Sequence, residues 1–209
     1  MKTSESFRLS AVLSFSGGLQ DAYTYNVRGN VFANAQTGKV VLMSQNFMLG
    51  NVAAALSYMV PLLAFAAGIL VAERIESHFE NRHWRHMILI LEILSLLAVG
   101  FIGRKFDMIA NMIVSFSCAM QVQTFRKVHG YGYASTMCIG NLRSGIESIS
   151  QYAREKDRQF LRKSLHFFGI IFIFAIGAGV GGILSGVWGI RTIWISVLLL
   201  LTVVIIMRE

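Results

Sequence analysis

Two stretches of this chain carry most of the polar side chains that could do chemistry, and they resemble each other. The first is Phe15-Ser16-Gly17-Gly18-Leu19-Gln20-Asp21, continuing through Arg28-Gly29 to Asn34-Ala35-Gln36-Thr37-Gly38-Lys39. The second is Phe116-Ser117-Cys118-Ala119-Met120-Gln121-Val122, continuing through His129-Gly130 to Cys138-Ile139-Gly140-Asn141. The Phe-Ser pair, the glutamine and the first glycine recur at one constant spacing; the later glycine recurs one residue further on. A carboxylate, neutral amides and a lysine among small residues suit a small polar or ionic solute. No nucleophile–base pair, zinc spacing or phosphate loop accompanies them, so no catalytic residue, metal or cofactor is expected.

Taken singly, each residue has a functional and a plain reading. Asp21 is either a site acid, which buried could carry a proton near neutral pH, or a helix-end acid paired with Arg28 or Lys39. Gln20 and Gln121 either bind a solute or bond helices together. Asn34, Gln36, Thr37 and Lys39 form the densest polar cluster, and a solvated face with a snorkelling lysine is the alternative. Asn141 and Arg143 occupy the equivalent stretch of the second half, where Glu147 lies four residues beyond Arg143 and suits an intrahelical ion pair. Glu92 interrupts an apolar run and is a further candidate, with snorkelling toward Arg85 or His86 as its alternative. His78, His83 and His86 share a basic loop, better read as a solvated face near lipid headgroups than as a metal site.

The elements that must position these residues are membrane-like. The 209 residues are 55% hydrophobic and 14% charged, against about 25% charged in an ordinary soluble domain. The net charge of +8 sits between and beside apolar runs, which fits orientation in a bilayer and argues against nucleic acid as a partner. Cys118 and Cys138 read as reduced, buried thiols.

Residues 52–72, 87–103, 108–125, 165–190 and 192–207 have the length and apolarity of spans. A sixth, 9–26, starts apolar and turns polar after Gly17. A tight turn is expected at Gly186-Val187-Trp188-Gly189. Residues 31–49 and 133–153 are amphipathic helices that could cross, re-enter or lie at the interface. The expected fold is an all-α polytopic membrane protein of six confident transmembrane helices plus two polar amphipathic ones, with eight spans open. It would be an internal duplication of residues 1–103 and 104–209. The distribution of Lys and Arg favours six crossings with both termini cytoplasmic, which makes the repeats inverted. Gly177 and Gly181, within Gly177-Ala178-Gly179-Val180-Gly181-Gly182, predict close helix packing rather than a nucleotide loop, and Gly68 the matching contact in the first half.

The pattern Gly17-Gly18-Leu19-Gln20-Asp21-Ala22-Tyr23 followed by Arg28-Gly29-Asn30-Val31-Phe32-Ala33-Asn34-Ala35-Gln36-Thr37-Gly38-Lys39 resembles the YoaK-like family of bacterial membrane proteins, domain of unknown function 1275. Met120-Gln121 and Ile139-Gly140 resemble that family's second-half positions. The resemblance implies a bacterial inner-membrane protein, usually drawn with six spans, and implies no substrate.

The function expected from the residues is a small-solute transporter or permease, with Asp21 as its coupling or selectivity acid and proton coupling as one form this could take. Its site would lie between the repeats, lined by Gln20, Asp21, Asn34, Gln36, Thr37, Lys39 and Gln121, with Lys39 or Arg28 tuning its charge. A non-transport membrane scaffold is the alternative, and an enzyme acting on a lipid is less favoured. The expected partners are the lipid bilayer, the solute and a second copy of this chain, with the glycine-rich helix as one contact.

Overall fold

The computed structural model describes residues 6–79, 84–128, 131–133 and 135–207. His83 and the His129-Gly130 turn lie outside the described residues, as do both chain ends. Among the described residues the fold is all-α apart from a two-residue antiparallel pair, β1 (Lys127–Val128) with β2 (Tyr131–Gly132).

Among the described residues the chain forms eight α-helices: α1 (Phe7–Val27), α2 (Gln36–Met48), α3 (Val52–His78), α4 (Trp84–Val99), α5 (Asp107–Thr124), α6 (Cys138–Glu155), α7 (Arg158–Trp188) and α8 (Ile193–Ile206). Local chemistry sets several of the ends. The Ser6 hydroxyl accepts from the Leu9 amide at 3.3 Å and the Asp157 carboxylate from that of Gln159 at 2.8 Å, capping α1 and α7. Gly189, at φ 55°, ends α7. The turn between α7 and α8 therefore falls at Gly189–Thr192, and Gly186 to Trp188 remain helical, one turn later than the sequence suggests.

Among the described residues only Val52–His78 and the stretch Arg158–Ile206 are both long and apolar enough to cross a bilayer by composition. The other helices expected to span fall short for identifiable reasons. α4 has 16 residues. α1 and α5 bury polar side chains along their length, among them Ser10, Ser14, Gln20 and Asp21 on α1 and Asn111, Ser115, Ser117 and Gln121 on α5.

Packing follows the glycines. A Cβ at Gly18 would strike the Phe174 carbonyl oxygen, one at Gly177 the Phe15 carbonyl oxygen, and one at Gly181 would lie 2.8 Å from the Leu19 Cα. These glycines let α1 and α7 touch backbone to backbone, and residue numbers rise together along both, so the pair is parallel. On the other side, Gly68 of α3 meets the Phe116 carbonyl of α5, and Glu73 meets Gln123, another parallel pair. α8 packs on α1, α4 on α5, and α4 and α8 on each other.

α1 and α5 run in opposite directions. Arg28 lies beside Asp107 and Asn111, Gln20 beside Cys118, and Leu13 beside Gln121. Since α3 parallels α5, it begins at the Arg28 end of the bundle. The chain after α1 turns back at Gly29 and Asn30, both with positive φ, dips to the level of Asp21, and returns through α2 to that same end. After α5 the mirror course occurs: Ser135 and Thr136 reach the middle of α1, where Thr136 packs against Gly17, and α6 leads back to the start of α7.

Candidate functional site

The first polar stretch closes on itself through the dip before α2. Asp21 Oδ1 accepts from the Asn34 backbone amide at 2.8 Å and from Asn34 Nδ2 at 3.2 Å. Thr24 Oγ1 donates to the Asp21 carbonyl at 3.1 Å and accepts from the Ala33 amide at 3.2 Å. Lys39, only 3% exposed, donates to the Ala33 carbonyl at 2.8 Å and to Ser115 Oγ of α5 at 2.9 Å. Lys39 and Asp21 are within electrostatic range of each other, yet the Ala33–Asn34 backbone stands between them instead of a direct ion pair.

One turn deeper, Gln20 donates to Ser16 Oγ at 3.0 Å and its Oε1 accepts from the Cys118 thiol at 3.0 Å. Cys118 lies within electrostatic range of Asp21, Glu92 and Lys39. Gln121 donates to Ser135 Oγ at 2.8 Å and to the Leu13 carbonyl at 3.4 Å, so it ties α5 to α1 and to the second dip. Asn34 Oδ1 and Gln121 Oε1 are buried with no partner, which leaves acceptor capacity pointing into the interior.

Arg28 takes a different part from the one expected of it. Fully buried, it donates from Nη1 to Asp107 at 2.9 Å, from Nη2 to the Val99 carbonyl at 2.9 Å and from Nε to Tyr23 Oη at 2.8 Å. Tyr23 in turn donates to the Ile190 carbonyl at 3.2 Å. Arg28 thus fastens one end of the bundle instead of pairing with Asp21.

The structure gathers Gln20, Asp21, Asn34, Lys39 and Gln121 along the α1–α5 contact. Gln36 donates to the Ala33 carbonyl at 3.1 Å at the edge of the cluster, and Thr37 is exposed. Arg143 is on the surface of α6, paired with Glu147 at 2.8 Å in the i,i+4 relation its spacing allows. Asn141 is buried on α6. Glu92 is buried on α4 without snorkelling. Among the described residues no group of three His, Cys, Asp or Glu could hold a metal ion.

Sequence reasoning overlooked Asp107, Asn111, Ser115 and Ser135. Ser115 could have been found, because it recurs from Ser14 at the same spacing as Gln121 from Gln20. The surface clefts of about 260 Å³ between α6 and α7 and about 760 Å³ beside Trp188, Arg191 and Trp194 include none of the gathered residues.

No solved structure matches the chain. It is 25% identical over 201 residues to the UPF0700 transmembrane protein YoaK of Bacillus subtilis (strain 168), covering 92% of this chain and 89% of that protein. A buried, hydrogen-bonded polar interior inside apolar helices is what a bilayer demands of a polytopic protein, and the transmembrane relative agrees with it. The chain belongs to the family described as Protein of unknown function (DUF1275), which it matches over residues 9–206, and is a membrane protein.

Proposed function

We propose that the chain is a small-solute permease of the bacterial inner membrane with six crossings, both termini cytoplasmic, and two inverted repeats, residues 1–103 and 104–209. The reading rests on one observation above all. α1 and α5, the two signature helices, cross antiparallel, and the chain dips into their contact from opposite ends before α2 and before α6. The helix contacts also obey the exchange of one half for the other: α1 packs on α7 as α5 packs on α3, and α8 on α1 as α4 on α5. Interrupted helices meeting near the bilayer centre are how inverted-repeat transporters present polar groups to a solute. The solute would meet Asn34 Oδ1, Gln121 Oε1, Gln20, Asp21 and Lys39, and rocking of one repeat against the other would expose them alternately.

The test is electrophysiology on proteoliposomes presented with amino acids, small carboxylates, polyamines and monovalent ions in turn. A charge or solute movement that Asp21→Asn abolishes, with its melting temperature kept, supports the permease. A second reading, a membrane scaffold, is favoured by how many of the signature polar groups already bond within the chain. If no solute moves and Asp21→Asn melts the protein, the scaffold replaces the permease.

A further inference from the structure

Among the described residues two carboxyl groups are buried within the bundle, and their surroundings differ in kind. Asp21 accepts two hydrogen bonds from Asn34 and has the Lys39 ammonium in electrostatic range. Those are the partners of an anion. Glu92 has none of them. It is fully buried, and neither of its carboxyl oxygens has a hydrogen-bond partner.

Its position is equally specific. Glu92 falls on the inward stripe of α4 with Ile88, Leu89, Leu96 and Val99. Leu89 and Leu96, one turn to either side, belong to an apolar cluster with Val114 and Cys118 of α5 and Val197 and Leu200 of α8. Of the helices packed on α4, α8 carries no ionisable side chain. α5 brings the Cys118 thiol into electrostatic range and holds Asp107 at its far start, already engaged by Arg28. α3 has Tyr58 toward one end and Glu73, Arg74, Glu76 and His78 at the other. On α4 itself, Arg85 and His86 lie two turns away. No cation forms an ion pair with Glu92 among the described residues.

A carboxylate stripped of water, donors and counter-ions is far costlier than the neutral acid in the same place. A metal cation would need several oxygen ligands around the carboxylate, and none is within hydrogen-bond distance. We propose that Glu92 is a proton-binding site: its carboxyl carries a proton in this packed state and releases it when α4 parts from α5 and α8 and water enters. Binding turns the carboxylate into a carboxylic acid, and release returns H⁺ to water, with no other reactant. The proposal deepens the permease reading by naming the proton as the coupling ion, and it transfers that part from Asp21 to Glu92. Only the coupling rests on that reading.

Infrared difference spectroscopy between neutral and alkaline pH, on the full chain in lipid vesicles, reads the protonated carboxyl directly. Wild type and Asp21→Asn should show a protonated-carboxyl band at neutral pH that Glu92→Gln lacks. Absence of the band from wild type, or its persistence in Glu92→Gln, overturns the proposal. Should Glu92→Gln fail to fold, wild type grown with glutamate heavy-labelled at its side-chain carboxyl decides: the band shifts if it belongs to a glutamate, and an unshifted band overturns the site. Pyranine trapped in the vesicles supplies the coupling readout with the same solutes as above. Solute movement without the band refutes the proton site and leaves the permease standing. The band without solute movement upholds the site and refutes the permease.

Discussion

Arg28 and Asp107 lie 2.9 Å apart, the arginine wholly buried and the aspartate one quarter exposed. The pair joins the end of α1 to the start of α5. With the Val99 and Ile190 carbonyls it gathers four chain segments at one end of the bundle.

Removing the arginine should therefore be severe. Arg28→Ala strands Asp107, the Val99 carbonyl and Tyr23, and breaking a buried pair costs about 3–5 kcal/mol. Arg28→Lys should recover only part of this, since an ammonium cannot copy the planar fork that meets three acceptors at once. Denaturation in mixed detergent micelles should rank wild type above Arg28→Lys above Arg28→Ala. Equal stability of all three would remove the fastening role.

The α1–α7 contact gives a second expectation. Gly18→Val and Gly177→Leu push side chains into opposing backbone and should each cost about 1–3 kcal/mol or more. Gly179→Leu, where an added Cβ meets nothing within 4 Å, should melt like wild type. The contrast separates a packing surface from a general dislike of bulk on a glycine-rich helix.

Topology is open to labelling. With Cys118→Ala and Cys138→Ser as background, single cysteines at Asn51 and Lys105 should react with an impermeant maleimide on intact cells, and one at Lys156 only after permeabilisation. Eight crossings with a cytoplasmic N-terminus would leave all three protected.

Lys39 and Ser115 should be energetically coupled. Lys39→Met and Ser115→Ala each remove one partner from the Ala33 carbonyl, and neighbours in one hydrogen-bond network typically show interaction energies of about 0.5–3 kcal/mol in a double-mutant cycle. Strict additivity would mean that the 2.9 Å contact between them contributes nothing to stability.

Much of this arrangement could be read from residue types and spacing. The paired signatures placed Gln20 and Gln121 along one helix contact, and small residues at Gly68, Gly177 and Gly181 predicted where backbones touch. The Arg143–Glu147 pair follows from helical periodicity alone. Other parts were beyond such reading because they depend on long-range geometry. Asp107 is an ordinary first-turn acid until α1 folds antiparallel to α5 and delivers Arg28 to it. The dips before α2 and α6 hinge on backbone turns at Gly29 and Asn30 and on hydroxyls such as Ser115 and Ser135, whose partners sit in another part of the chain. Residue types alone left Asp21 open between a site acid and a paired helix-end acid, and Glu92 between an interior acid and a snorkelling one; the structure gives Asp21 the Asn34 donors and buries Glu92 without a hydrogen-bond partner.

The pairing of α1 with α7 has a consequence for biosynthesis. During synthesis α1 meets its backbone partner α7 only after the intervening helices α2 to α6 have been made. Until then Gly18, whose neighbours are Phe174 and Ala178 of α7, faces lipid or a chaperone, and the amino-terminal half cannot complete its own interior. Two separately expressed halves, cut in the 100–106 turn, should be degraded alone and rescue each other when made together, because each half supplies the surface on which the other folds.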